Sequence, residues 1–411
     1  MRNFTIITWS FLAVAFVSCQ TDKPEPEKRT PIVISLTKAE EVIMQQNNAF
    51  AFDLLRTVSQ HETEGKNILL SPLSATIALA MLNNGAGGQT HKEIQETLGY
   101  GDITQDEMNG YFRKMLTAMQ EADTDVAFET AHSIWIRRNF SVLDAFKDVN
   151  RDYYDAEVRN EDFNNPQTID VINNWCADKT HQKIPGIIDH IDEATVMFLI
   201  HALYFKAAWT FQFDKHATGT EFFTHYDGTQ TPAPIMRLKE SFAHGEGETF
   251  DLLELPYGNG SFGMIVLLPK EGVSLQSVVE SLNAETWANG LQQMYKKEVS
   301  LKLPRFKIEY EKDLSDDLKT MGMESMFCDG CADFSRITNP STLLVTQVKQ
   351  KTFAEVNEEG AEAAAVTVVV MGPTSTGPSS AVDFHATRPF LYFIREQSTG
   401  AILFSGACQS L

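Results

Sequence analysis

The segment after Gly360 restricts the fold of this chain more than any other. Eleven residues, Ala361 to Met371, contain no proline and a single charge, Glu362. As a strand they place Ala361, Ala363, Ala365, Thr367 and Val369 on one face. Val366 to Met371 is strongly β-prone, and such a stretch left in solvent invites aggregation. It runs into Gly372-Pro373-Thr374-Ser375-Thr376-Gly377-Pro378-Ser379-Ser380, which reads as an exposed loop open to proteolysis. An edge strand with a surface loop explains most of this, but not Ala363-Ala364-Ala365 beside a glycine. Small side chains suit a strand that must slide between existing strands, where bulky ones would clash with a packed sheet.

The remainder supplies a body large enough to hold such a sheet. Of 411 residues, 43% are hydrophobic and 22% charged, the balance of a globular core and not of a disordered chain. Basic residues number 34 against 55 acidic, and the net charge of -21 leaves no basic surface for nucleic acid. Cys19, Cys176, Cys328, Cys331 and Cys408 are too few for a disulfide scaffold.

Met1-Arg2-Asn3 followed by the apolar run Ile6 to Val17 reads as a signal peptide, since a membrane span needs about 20 residues. Phe16-Val17-Ser18-Cys19 resembles a bacterial lipobox, which makes Cys19 the lipidated first residue after loss of residues 1–18. Residues 19–36 then form a flexible tether, and residues 37–411 one domain, uninterrupted by linkers or repeats. The expected location is a bacterial envelope, on the periplasmic or the outer face, with a lipid anchor in the outer membrane as the only membrane contact; secretion is the alternative.

The front half is mainly helical. Val42, Ile43, Phe50, Leu54, Leu55 and Val58 recur at helical spacing within residues 39–59. Ser71-Pro72 opens a second helix, which Asn83-Asn84-Gly85 should stop with a left-handed residue. Thr90-His91-Lys92-Glu93 is a capping box. Strands dominate from about Met197: residues 198–209, 250–257, 264–268, 298–303 and 390–404 are rich in β-branched and aromatic residues. Helical patterns interleave over 275–293 and 313–321. The fold class is α+β.

No catalytic constellation stands out. Gly258-Asn259-Gly260-Ser261-Phe262-Gly263 has dinucleotide-site spacing, but a strand follows where a helix N-terminus is required, so it reads as a hairpin turn. Cys328-Asp329-Gly330-Cys331 lacks the second pair that would complete a metal site, and a small loop disulfide is its alternative use. Neither a zincin His-Glu-x-x-His nor a Gly-x-Ser-x-Gly elbow is present. The chain is expected to be no enzyme and to need no metal or cofactor.

Several motifs in order carry a resemblance to the serpin family over nearly the whole mature chain. Asn67 to Ser74, with Ser71 and Ser74, resembles the family's shutter segment, and Leu203 to Trp209 its breach strand. Glu355-Val356-Asn357-Glu358-Glu359-Gly360 resembles the hinge entry, Ala332 to Ser335 another family stretch, and Arg388 to Ile394 the C-terminal signature. Two departures stand out. Where the family pairs an asparagine with a histidine across the shutter, this chain has His201 and Gln350, an exchange that would keep one hydrogen bond with its ends reversed. Thr387 replaces the usual Asp or Asn of the C-terminal signature.

The resemblance implies helices of the N-terminal half packed on three β-sheets, with a reactive-centre loop at about 358–387. It also implies a monomeric suicide-substrate inhibitor: a protease cuts the loop, and the cut segment inserts as a new strand before the acyl-enzyme is released. The hinge would comprise Glu358, Glu359, Gly360, Ala361, Glu362, Ala363, Ala364, Ala365 and Val366. Family spacing places the reactive bond between Thr374 and Ser375, with Met371 as the alternative. No Lys or Arg occurs from Ala361 to Thr387, which argues against trypsin-like targets. Elastase-like or subtilisin-like serine proteases fit the small and medium apolar residues, with some cysteine proteases as a second class. A non-inhibitory carrier or chaperone is the competing reading.

Overall fold

The computed structural model describes residues 30–193, 195–339, 343–361 and 381–411. Helix α1 (Lys38–His61) opens with a capping box in which Thr37 and Glu40 satisfy each other's backbone amides. After β1 (Ile68–Leu70), α2 (Pro72–Asn83) starts at the Ser71 cap with proline in its first turn, as expected. It is buried on nearly every side. Its end differs from expectation: Asn84 is right-handed, and no left-handed residue stops the helix. Gly85 is required for space instead, because a Cβ there would lie 2.1 Å from Ile337 Cγ1. Helix α3 (Gly88–Thr97) begins two residues before Thr90, so the expected capping box is not one. Thr90 Oγ1 accepts from the Asp333 amide and Glu93 from the Ser325 amide, contacts from a distant segment that outcompete a local cap.

Next come α4 (Gln105–Glu121), β2 (Val126–Arg137), α5 (Asp144–Tyr154), β3 (Glu157–Glu161), α6 (Gln167–Lys179) and β4 (Met197–Ala208). Then follow β5 (Gly219–Thr224), β6 (Gln230–Glu246), β7 (Phe250–Tyr257) and β8 (Phe262–Pro269). The helical pattern over 275–293 is two helices, α7 (Leu275–Ser281) and α8 (Ala284–Gln292), because Asn283 turns out of the first and caps the second. Strands β9 (Tyr295–Pro304) and β10 (Phe306–Asp313), helix α9 (Ser315–Thr320), then β11 (Lys349–Val356), β12 (Gly360–Ala361) and β13 (Val382–His385) lead to the C-terminus. The expected strand over 390–404 is a hairpin of β14 (Phe390–Glu396) and β15 (Ile402–Cys408).

Among the described residues the strands make two sheets. One has nine strands, ordered β1-β15-β14-β8-β7-β6-β9-β13 with β5 on β6; the other runs β10-β11-β12-β4-β2-β3. Strands β6 and β9 are long enough to serve two regions, so two of the three expected sheets merge into one ladder. Helices α1 and α2 and the β14–β15 hairpin share the main apolar core with the inner faces of both sheets. A smaller core lies between α6 and the outer face of β2 and β4.

Candidate functional site

Among the described residues, the six-stranded sheet has a gap between β4 and β11. Strand β12 is antiparallel to β4, with Gly360 opposite Ala208 and Ala361 opposite Ala207, and also to β11, with Ala361 opposite Val356. Strands β4 and β11 are therefore parallel and held one strand apart, and among the described residues only Gly360 and Ala361 stand in the space between them. Below Ala361 the described pairings leave the facing edges of both strands unmatched. A cavity of about 580 Å³ opens there, lined by Phe198–Leu203 of β4, Lys349–Phe353 of β11, Ser71 and Ser74 at the start of α2, and Cys176 of α6. Its outer side is roofed by the segment after α6. Lys183 lies 4.8 Å from the Phe353 ring, Asp189 pairs with Lys349 at 3.1 Å, and the His181 ring sits 4.3 Å from Tyr204.

The turn that feeds this vacancy is clamped from several directions. Asn357 Oδ1 accepts from the amides of Glu359 (2.9 Å) and Gly360 (3.3 Å). Trp209 donates its indole N–H to the Asn357 carbonyl at 2.8 Å and its amide to the Glu359 carbonyl at 2.9 Å. The Trp209 ring stacks on Tyr257 at 4.4 Å. Glu358 is 3% exposed, and Arg305 Nε donates to both its carboxylate oxygens at 2.7 Å, with Thr218 as a further donor. Burial pushes the Glu358 carboxyl up, but Arg305 and Thr218 outweigh it and hold the group below the ordinary carboxylate range. Lys215 pairs with Glu359. Gly360 has φ +154°, in a region open essentially to glycine alone.

Deeper in the vacancy lies the shutter. Ser71 Oγ is 2.8 Å from Ser74 Oγ and 3.0 Å from the Leu403 carbonyl. Gln350 accepts from the Ser71 amide (3.0 Å) and donates to its carbonyl (2.8 Å). The expected His201–Gln350 hydrogen bond is absent, because the strands that carry them do not pair and the amide is committed to Ser71. His201 instead lies 4.5 Å from the ring of His132 on β2, and none of the four ring nitrogens has a partner among the described residues. Burial holds both imidazoles neutral, pushing His132 down to about 3 and His201 well below the usual histidine value.

The structure thus brings Glu358, Glu359, Gly360, Ala361 and Trp209 together at one end of the vacancy and Ser71, Ser74, His201 and Gln350 along it. Glu362, Ala363, Ala364, Ala365, Val366, Met371, Thr374, Ser375 and Cys19 lie outside the described residues. Sequence reasoning missed Arg305, Thr218 and His132. For His132 a signal existed: Val126, Phe128 and the run Ile134-Trp135-Ile136 mark a strand inside the supposedly helical half. Arg305 and Thr218 gain their roles only through the fold. The expected hairpin turn at Gly258–Gly263 joins β7 to β8, and Cys328 and Cys331 form a disulfide in a surface loop. Thr387 contributes its carbonyl, which accepts from the Thr224 amide at 2.9 Å.

Comparison with known proteins agrees with this geometry. The family model described as Serpin (serine protease inhibitor) matches residues 45–410. Human Serpin B3 is 35% identical over 394 residues, covering 90% of this chain and 99% of that protein. Iripin-3 of Ixodes ricinus is 34% identical over 355 residues, covering 84% and 90%. Among solved structures, the thermophilic serpin Tengpin in its native state gives a TM-score of 0.83 at 28% identity, covering 93% of this chain and 98% of that one. Human thyroxine-binding globulin gives 0.82 at 28% identity, covering 90% and 99%. Since a family model spans residues 45–410 and a relative matched over 99% of its own length covers 90% of this chain at 35% identity, the protein belongs to the serpin family.

Proposed function

We propose that this serpin is an irreversible suicide-substrate inhibitor of serine proteases and not an enzyme. The observation that carries the reading is the strand position between β4 and β11 that the described residues leave unmatched, entered at its upper end by Gly360 and Ala361. Continuing the β12 pairing residue by residue sets Thr367 opposite both His201 and Gln350. It also turns Ala363, Ala365 and Thr367 toward the same side as Ala361, which belongs to the main core. That is the side where small side chains are needed. About ten further residues joining the sheet, at roughly 0.5–1.5 kcal/mol per hydrogen bond, gain on the order of 5–15 kcal/mol. This rivals the whole stability of an ordinary domain, so the uncut form is held by a barrier and not by its depth.

The bait is the bond Thr374–Ser375 or that after Met371, suited to elastase-like or subtilisin-like proteases and secondarily to cysteine proteases. The inhibitor acts as a monomer without a cofactor, tethered through a lipid on Cys19 to the outer membrane of a bacterial envelope. Incubation with pancreatic elastase is expected to give a protease–serpin adduct stable to boiling in detergent, plus a released peptide starting between residues 372 and 377. Clean cleavage with active protease left behind would instead indicate a non-inhibitory carrier. Release of a peptide beginning elsewhere would refute the bond assignment.

A further inference from the structure

Phe222 is 62% exposed at the centre of a regular strand. Its cross-strand neighbour is Pro232, also exposed, and the next pair on that face, Thr220 and Pro234, is exposed as well. No ring or cation contact involves Phe222 among the described residues. The fold therefore sets one aromatic and two proline side chains side by side in solvent.

The position of this ridge suggests a partner for it. Just before β5, Thr218 bonds the Glu358 carboxylate, at the foot from which the reactive loop departs. The last residue of β5, Thr224, donates its amide to the Thr387 carbonyl, at the foot to which the loop returns. On the β6 side, the Pro234 carbonyl accepts from the Arg305 amide, and Arg305 holds Glu358. Six residues of strand span about 20 Å, so Phe222 stands between the two ends of the bait. A protease seated on the loop covers about 800 Å² of its partner, more than the few residues of a cleavage site offer. The body beside the loop can supply the rest of that area, and interface energy concentrates in rigid aromatic anchors.

We propose that the Phe222–Pro232 ridge is a second contact surface for the target serine protease, meeting an apolar patch on the rim of its active-site cleft. This rests on the inhibitory reading above. Each encounter then depends on the bait bond and on Phe222, so the ridge selects among proteases that accept the same bond.

The test compares the full chain with Phe222→Ala and Phe222→Leu against pancreatic elastase and subtilisin. Trapping is irreversible, so its second-order rate constant follows the affinity of the encounter complex. Phe222→Ala is expected to lower it about tenfold for the protease inhibited faster. Phe222→Leu should recover most of the loss, with the stoichiometry of inhibition and the melting temperature unchanged. Adduct formation at an unaltered rate with both proteases would overturn the proposal while leaving the inhibitory reading intact. A change only in self-association would overturn it equally. Absence of adduct from the unaltered chain would remove the inhibitory reading itself.

Discussion

Gly360→Val is expected to turn the proposed inhibitor into a substrate: the loop should still be cut, but the protease should walk away. A Cβ at this position would lie 2.0 Å from the Ala207 carbonyl oxygen and 2.7 Å from Ala208 Cα. Both obstacles are backbone of β4, so neither can swing aside. The φ of +154° adds strain for any residue but glycine, about 1–3 kcal/mol. Valine is therefore expelled from this pairing in the uncut protein, and insertion has to restore it; the strain then falls in the barrier and slows the step roughly 5- to 150-fold, while hydrolysis of the acyl-enzyme proceeds at its own pace. The stoichiometry of inhibition is expected to rise at least fivefold, read as cleaved serpin against adduct on a denaturing gel. An unchanged ratio would mean that Gly360 does not pass through the pairing seen beside Ala207.

Glu358→Ala should weaken the intact protein by about 2–4 kcal/mol. The loss falls short of the ~3–5 kcal/mol for breaking a fully buried pair because Arg305 is 43% exposed and partly recovers water. The carboxylate joins β10's approach, the Thr218 segment and the hinge turn, so its removal loosens the end of the sheet where insertion begins. Acid reproduces part of the effect. The folded protein holds this carboxyl below its ordinary value of 4.5, so its stabilisation is complete above that pH and fades as the pH falls through the folded value. Urea unfolding from pH 7 to pH 3 should show a shallower acid decline for Glu358→Gln than for the unaltered chain. Parallel curves would show that the pair contributes nothing to the pH dependence.

These sites were unevenly legible in the sequence. Gly360 and Ala361 were legible as the entry to a sheet, because side-chain size is written directly in the residue types, whereas Ala363 to Ala365 lie outside the described residues. Ser71-Pro72 fixed a helix start because its cap and first turn are local. Thr90 failed as a cap for the opposite reason: its hydroxyl is claimed by residues more than two hundred positions away. Strand β2 was hidden inside a helical neighbourhood, and with it went His132 and the histidine pair. Gln350 was correctly placed beside the shutter, but its partner proved to be the Ser71 backbone and not His201. Which of two nearby polar groups wins an amide depends on a strand spacing that no short motif encodes.

Everything here turns on whether the severed loop enters the space beside β4. Limited cleavage within residues 371–376, followed by thermal unfolding of the nicked and intact proteins side by side, decides it. The nicked protein should melt roughly 6–19 °C higher, what about 5–15 kcal/mol of added sheet pairing implies for a domain of this length, and its new end should resist further digestion. Equal melting temperatures, with that end still open to proteases, would show that the gap stays empty and that the molecule is no trap.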